Sequence, residues 1–307
     1  MQPLLAAVAS ASTGATSSAG VVAIGPWQLV LASGFMLVTG AISAALALGL
    51  VKDLAWATVR TYIQLLALGL VLRYVFANDS WYLVVTILIV MVVVATRIVI
   101  TRAPDAPPKI YARTGLATLV SGTLVTFAVT GLVVGVQPWY RAQYVIPIAG
   151  MVIGNSMTRI ALTLERVFAD MDSRAGEILG LLALGATPWE ASRGSVRSAL
   201  RAGLIPTINS MAAVGIVFIP GMMAGQVLAG ADPLGAAIYQ IVVMLMVSAA
   251  TAVGSIMAAL LTYDRRFDAE GIYLDRPYRP APGEVAAKRR GESPTKGPRA
   301  TDGDSVG

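Results

Sequence analysis

The chain has no cysteine and no histidine among its 307 residues. Disulfide frameworks, thiolate and imidazole metal sites, Cys/His nucleophile pairs and a histidine proton relay are excluded at once. Charge is scarce as well: 13% of residues are Asp, Glu, Lys or Arg, against about 25% in soluble domains. No Asp or Glu lies deep in any long apolar run; Glu165 and Asp232 stand only at the edges of such runs. General acid–base catalysis needs placed titratable groups, so an intramembrane enzyme is disfavoured. A G-x-x-x-x-G-K-[ST] run is also missing, so the chain has no P-loop with which to hold ATP.

What is present is apolar length. Hydrophobic residues make up 56% of the chain, the mean hydropathy is +0.71, and about 20 apolar residues suffice to cross a bilayer. The expected fold is all-α and polytopic. About seven spans are read at Trp27–Leu50, Leu54–Phe76, Trp81–Ile100, Leu116–Val136, Tyr144–Leu164, Ile208–Ala229 and Leu234–Tyr263. Trp27, Trp81, Trp139 and Tyr140 fall at segment ends, where amphipathic rings favour the headgroup region. Of the 23 Lys and Arg residues, all but Arg73, Arg141, Arg60 and Arg159 fall on one side if the N-terminus is outside. Positive charge stays in the cytosol, so the topology reads N-out and C-in, in the cell membrane. The net charge of +6 is therefore a topology signal rather than a nucleic-acid one.

Three regions follow from composition. Residues 1–26 form an uncharged N-terminal tail, residues 27–263 the membrane domain, and residues 264–307 a basic cytosolic tail. The tail is rich in Pro, Gly, Lys and Arg from about Arg276 and reads as disordered. Its basic runs suit the anionic lipid of the inner leaflet.

The stretch 166–207 interrupts the apolar pattern on the cytosolic side. Glu177–Leu184 reads as a helix with Ile178, Leu181, Leu182 and Leu184 on its apolar side. Gly185 suits a helix C-terminus that needs positive φ. Thr187 can cap a second helix, with Pro188 at its first position and Glu190 closing a capping box. Ala186 keeps the turn slim, and Trp189 stands on the first turn. Arg193, Arg197 and Arg201 recur every four residues on one face. This is a helix-turn-helix with two possible uses: an amphipathic element on the membrane surface, or a docking element for a cytosolic partner.

The run Glu177–Ala191 (EILGLLALGATPWEA) and the run Arg197–Met211 (RSALRAGLIPTINSM) resemble the FetB-type ABC transporter permeases, the UPF0014 family. Arg60–Leu72, Ile146–Thr158, Ile219–Leu234 and Tyr239–Met244 are similar to family segments too. The resemblance implies a permease subunit driven by a separate ABC ATPase, which carries the ATP and Mg, with docking at the elbow. It implies a metal cargo such as iron, exported, with a nucleotide sugar such as UDP-glucose as the alternative. The elbow also looks like the coupling loop of ABC importers, although its Leu-Ile-Pro lies further from Gly185 than in that motif. Seven spans make a thin half-channel, so a homodimer is the expected assembly. A stand-alone secondary transporter or channel is the other reading.

Candidate path residues are polar or backbone-breaking positions within the spans. Arg60 and Gln64 are one turn apart, and Arg60 can snorkel to the interface or act in transport. Gly150 and Gly154 form G-x-x-x-G, a spacing for close helix approach, with Asn155 beside it. Asn209 and Gln226 flank a Pro220–Gly221 break with Met222 and Met223. Proline kinks a helix, and such a kink suits a gate. The methionines are soft ligands for Cu(I) or, more simply, flexible packing.

Overall fold

The computed structural model describes residues 25–274, apart from 79, 104, 108, 109, 134, 136 and 269. The tails at 1–24 and 275–307 thus lie outside the described residues. In chain order the helices are α1 (Pro26–Ala45), α2 (Val51–Asn78), α3 (Trp81–Thr101), α4 (Tyr111–Ala128), α5 (Ala142–Ser173), α6 (Ala175–Ala183), α7 (Pro188–Ala213), α8 (Gly221–Leu228) and α9 (Pro233–Thr262). A π-helical turn, Val129–Val133, extends α4, and a 3₁₀ turn, Tyr263–Arg266, follows α9. Among the described residues, 6 helices are long and apolar enough to cross a membrane. The protein is an all-α, multi-pass membrane protein.

The 32-residue helix α5 is the central post. It packs against α3, α4, α7 and α9. Backbones come close where side chains vanish. A Cβ on Gly254 of α9 would sit 2.8 Å from Ile160 Cδ1 and 2.8 Å from Ser121 Oγ. A Cβ on Gly203 of α7 would collide with Thr163 Oγ1 and meet Thr163 Cβ at 3.2 Å. Small residues at such crossings let dispersion contacts replace the hydrophobic drive that lipid does not supply. The Gly150/Gly154 pair does not play this part within the chain. Gly150 meets only Met91 Cε at 3.5 Å, and Gly154 faces open space. Helices α1 and α2 form a hairpin joined by Tyr62 Oη with Ser33 Oγ at 2.7 Å. That hairpin reaches the rest of the bundle near Val75, which shares an apolar cluster with Val84, Leu88 and Val145.

The expected span Ile208–Ala229 is not one helix. α7 runs unbroken from the elbow to Ala213, the chain turns through Val214–Pro220, and α8 restarts at Gly221. Gly215 takes φ +80° and its N–H donates to Phe218 O at 2.9 Å. Pro220 disfavours helical backbone at Ile219 and cannot donate to a preceding turn. It therefore serves as N-cap of α8, so the expected kink is a complete break.

Residues 264–268 and 270–274, read from sequence as the start of the basic tail, fold into a strap. Arg266 is 5% exposed. It donates to Asp172 Oδ2 and to Asp105 O, each at 2.8 Å, and lies 5.7 Å from the centre of the Phe168 ring. Tyr273 Oη donates to Asp172 Oδ1 at 3.0 Å. Phe267 and Tyr273 are buried beside Ile178 and Val196, which offsets the cost of ordering the strap. Breaking a buried ion pair from one side is destabilising, because the remaining charge is left uncompensated.

Gly203→Ala is expected to lower the thermal midpoint of the detergent-solubilised protein, because its methyl has no room at Thr163. Gly180→Ala, where a Cβ meets nothing within 4 Å, is expected to raise it slightly, since alanine favours helix by about 1 kcal/mol. A thermal-unfolding comparison checks the opposite signs.

Candidate functional site

The elbow has the geometry its residues dictate. α6 ends in a Schellman motif: Ala186 N–H reaches Leu181 O at 3.0 Å and Gly185 N–H reaches Leu182 O at 2.9 Å. Gly185 holds φ +91°, a left-handed conformation that glycine adopts without a Cβ clash. Thr187 then caps α7. Glu190 N–H donates to Thr187 Oγ1 at 3.3 Å, and Glu190 Oε2 accepts from Thr187 N–H at 2.8 Å and from its hydroxyl at 2.8 Å. Pro188 occupies the first turn. Arg174 clips the other arm, donating to Glu177 at 2.8 Å and 2.6 Å. Trp189 packs edge-on against Tyr263 with ring centres 5.3 Å apart, so the 3₁₀ turn that leads into the strap supports the start of α7 from behind.

Leu184 does not join the apolar side of α6. Ile178 is buried, but Leu184 is 86% exposed at the tip, because the left-handed Gly185 turns the chain immediately after it. Arg193, Arg197 and Arg201 are all exposed along one face of α7. The turn thus presents an apolar tip beside a basic stripe. Its carboxylates are held ionised. The Thr187 backbone N–H, and then its hydroxyl, keep the Glu190 carboxyl below the usual range. The Arg174 hydrogen bond does the same for Glu177.

The other end of α7 opens on a cavity of about 290 Å³. Its walls are α5, α7, the break before α8, and α9. Asn155 and Arg159 line it from α5, Thr207 and Ser210 from α7, and Gln240 and Ser248 from α9. Phe218, Pro220, Gly221 and Met222 close it on the fourth side. Interrupted backbone is tolerated at membrane depth where it lines a cavity, which is where this break sits. Asn155 Nδ2 donates to Met151 O at 2.8 Å. Gln240 is 6% exposed, and its Oε1 has no hydrogen-bond partner. Among the described residues, no group of three or more Asp, Glu, His or Cys side chains converges.

The sequence agrees with known proteins over the region that builds both the elbow and the cavity. The model of an uncharacterised protein family, UPF0014, matches residues 26–267. The chain belongs to the UPF0014 family. It is 37% identical over 243 residues to the UPF0014 membrane protein slr1647 of Synechocystis, covering 76% of this chain and 92% of that one. It is 36% identical over 245 residues to the probable iron export permease protein FetB of Escherichia coli, covering 78% and 91%. It is 33% identical over 268 residues to the UPF0014 membrane protein STAR2 of Oryza sativa, covering 87% and 92%. No solved structure matches.

Within this UPF0014 chain the candidate residues separate into groups. Glu177, Leu184, Gly185, Ala186, Thr187, Pro188, Trp189, Glu190, Arg193 and Arg197 are brought together at the elbow. Asn155, Pro220, Gly221 and Met222 meet at the cavity. Gly154, Asn209 and Gln226 do not line it; Gln226 Oε1 is buried without a partner on α8. Arg60 and Gln64 are exposed on α2, apart from the cavity. Arg159, Thr207, Ser210, Gln240 and Ser248 were not among the candidates. Their signal is spacing: Asn155 and Arg159 are four apart, Thr207 and Ser210 three, Met244 and Ser248 four, each pair on one helix face.

The depressed carboxyl of Glu190 has a direct consequence. The cap is at full strength above the ordinary Glu value of 4.5 and is lost as pH falls through the lower folded value. Hydrogen exchange at residues 189–193, corrected for intrinsic rates, is expected to accelerate in that acid window. Thr187→Ala is expected to show the faster exchange already at neutral pH, with a loss of about 1 kcal/mol in helix stability.

Proposed function

We propose that this chain is the membrane-spanning permease subunit of an ABC transporter, moving a metal such as iron, or a small solute, out of the cell. The observation that carries this reading is the capped turn at 184–190, joined by the single helix α7 to a polar cavity inside the bundle. A surface-lying helix needs no Schellman end, no capping box and no supporting strap. A docking element needs all three, because its tip must hold one shape against a partner. The chain carries no P-loop, so hydrolysis of ATP with Mg falls to a separate ATPase. That ATPase receives Leu184 and Ala186 at the turn and meets the basic stripe of Arg193 and Arg197. The charge distribution supports an N-out, C-in orientation, which puts the turn in the cytosol. The relative named a probable iron export permease supports the direction and the metal.

A homodimer fits the same reading. In α2 the most apolar window has 0% of its residues buried, and Arg60 and Gln64 stand on that uncovered helix. A cation facing lipid is costly, and a second copy would shield it. The competing reading, a stand-alone secondary transporter, draws on the broken segment at Val214–Pro220, since such transporters use discontinuous helices. It leaves the elbow without a purpose.

Ala186→Arg puts a long charged side chain into the slim turn. Tagged wild type and Ala186→Arg are to be drawn from native membranes in mild detergent and the co-eluting proteins identified by mass spectrometry. The expected result is a P-loop ATPase with wild type and none with the variant, at equal membrane levels. An ATPase retained by the variant, or none with either even after cross-linking, would contradict the docking reading.

A further inference from the structure

The cavity carries one formal charge, the Arg159 guanidinium. No Asp or Glu lines the cavity, and among the described residues the ion pairs use Arg113, Arg174 and Arg266 but not Arg159. An arginine inside an apolar bundle normally meets an acid or a backbone carbonyl. Among the described residues, neither is paired with Arg159.

The remaining polar lining is neutral. Gln240 is buried, with its carboxamide oxygen unpaired. Asn155 spends its amide N–H on Met151 O, which leaves its oxygen to the cavity. Ser210 donates to Pro206 O at 2.9 Å and Ser248 to Met244 O at 2.8 Å, so their oxygens too remain as acceptors. The site is one cationic fork among neutral polar groups that include free acceptor oxygens. A bare divalent ion would have to shed water next to that cation, and uncharged oxygens do not offset the repulsion. A carboxylate or phosphate, by contrast, gains charge-assisted and bidentate hydrogen bonds from the guanidinium. Hydroxyls on the same solute would satisfy the acceptors of Gln240 and Asn155.

We infer that this cavity binds an anionic, hydroxyl-bearing organic solute through Arg159, and that a metal enters it only as an anionic chelate of such a solute. The inference rests on the transport reading, but its test measures binding to the permease alone. Loss of the ATPase partnership would therefore leave it standing, and its own failure would leave the partnership standing.

The test uses the full chain in nanodiscs of neutral phosphatidylcholine, titrated by calorimetry with citrate, with inorganic phosphate and with manganese(II) chloride. Citrate or phosphate is expected to bind wild type. Arg159→Gln is expected to weaken that binding by about tenfold or more. Arg159→Lys should keep part of it, and manganese alone should not bind. Gln240→Leu leaves the charge in place and is expected to weaken citrate, whose hydroxyl loses an acceptor, by less than Arg159→Gln does. If Arg159→Gln is not recovered monodisperse, the lysine and Gln240→Leu variants carry the comparison. Manganese binding that persists or tightens in Arg159→Gln would overturn the inference. So would both anions being inert with folded wild type, equal citrate affinity in wild type and Arg159→Gln, or, in parallel nanodiscs that contain phosphatidylglycerol, occupancy by that lipid and by neither soluble anion.

Discussion

The rest of the structure depends on the continuity of α7. One helix of 26 residues begins at the capped turn and ends at the wall of the cavity. Its start is held by the reciprocal bonds of Thr187 and Glu190. Its middle is seated on α5 at Gly203, where only a hydrogen fits against Thr163. Its end lines the cavity with Thr207 and Ser210. A push at the turn has no soft joint in which to dissipate except Pro206, which lies inside the helix and removes one backbone bond.

The strap makes that lever part of the bundle. Arg266 and Tyr273 grip Asp172 near the end of α5, while Tyr263 backs Trp189 on α7. Arg113 of α4 closes the same end by pairing with Asp264 and donating to Leu261 O at 2.7 Å. The turn, the ends of α4, α5 and α9, and the strap therefore form one packed platform. Packed interfaces switch between discrete arrangements rather than deform smoothly. A platform of this kind suits a two-state response to a nucleotide-driven partner.

How much of this was legible in the sequence follows from the range of the forces involved. The turn was readable because its chemistry is local: a glycine for positive φ, then Thr-Pro-x-Glu, all within six residues. The composition of the apolar runs was readable because hydropathy is a sum over neighbours. The break at Val214–Pro220 was not, because a window of apolar residues reports transfer energy and is silent about backbone path. Pro220 carried the hint, but its effect was read as a kink. The seat at Gly203 was invisible, because its partner Thr163 is forty residues away and nothing in the local pattern links them. The Gly150/Gly154 spacing misled for the same reason: a motif for close approach says nothing of whether a neighbour comes. The strap was missed because Phe267 and Tyr273 are isolated apolar residues at the head of a basic tail. Arg159 and Gln240 sat in plain view as polar residues in apolar helices, and only the fold shows that they face one space.

The most direct measurement is a distance along α7 across Pro206. The chain has no cysteine, so Ser198→Cys with Ala212→Cys places a nitroxide pair only at these two exposed positions. They are fourteen residues apart, a rise of about 21 Å. Pulsed electron–electron resonance on the protein alone and in complex with the proposed ATPase partner should give one narrow distribution, unchanged by nucleotide. A broad distribution, or one that shifts with nucleotide, would show that α7 bends at Pro206 and does not carry motion from the turn to the cavity as a single body.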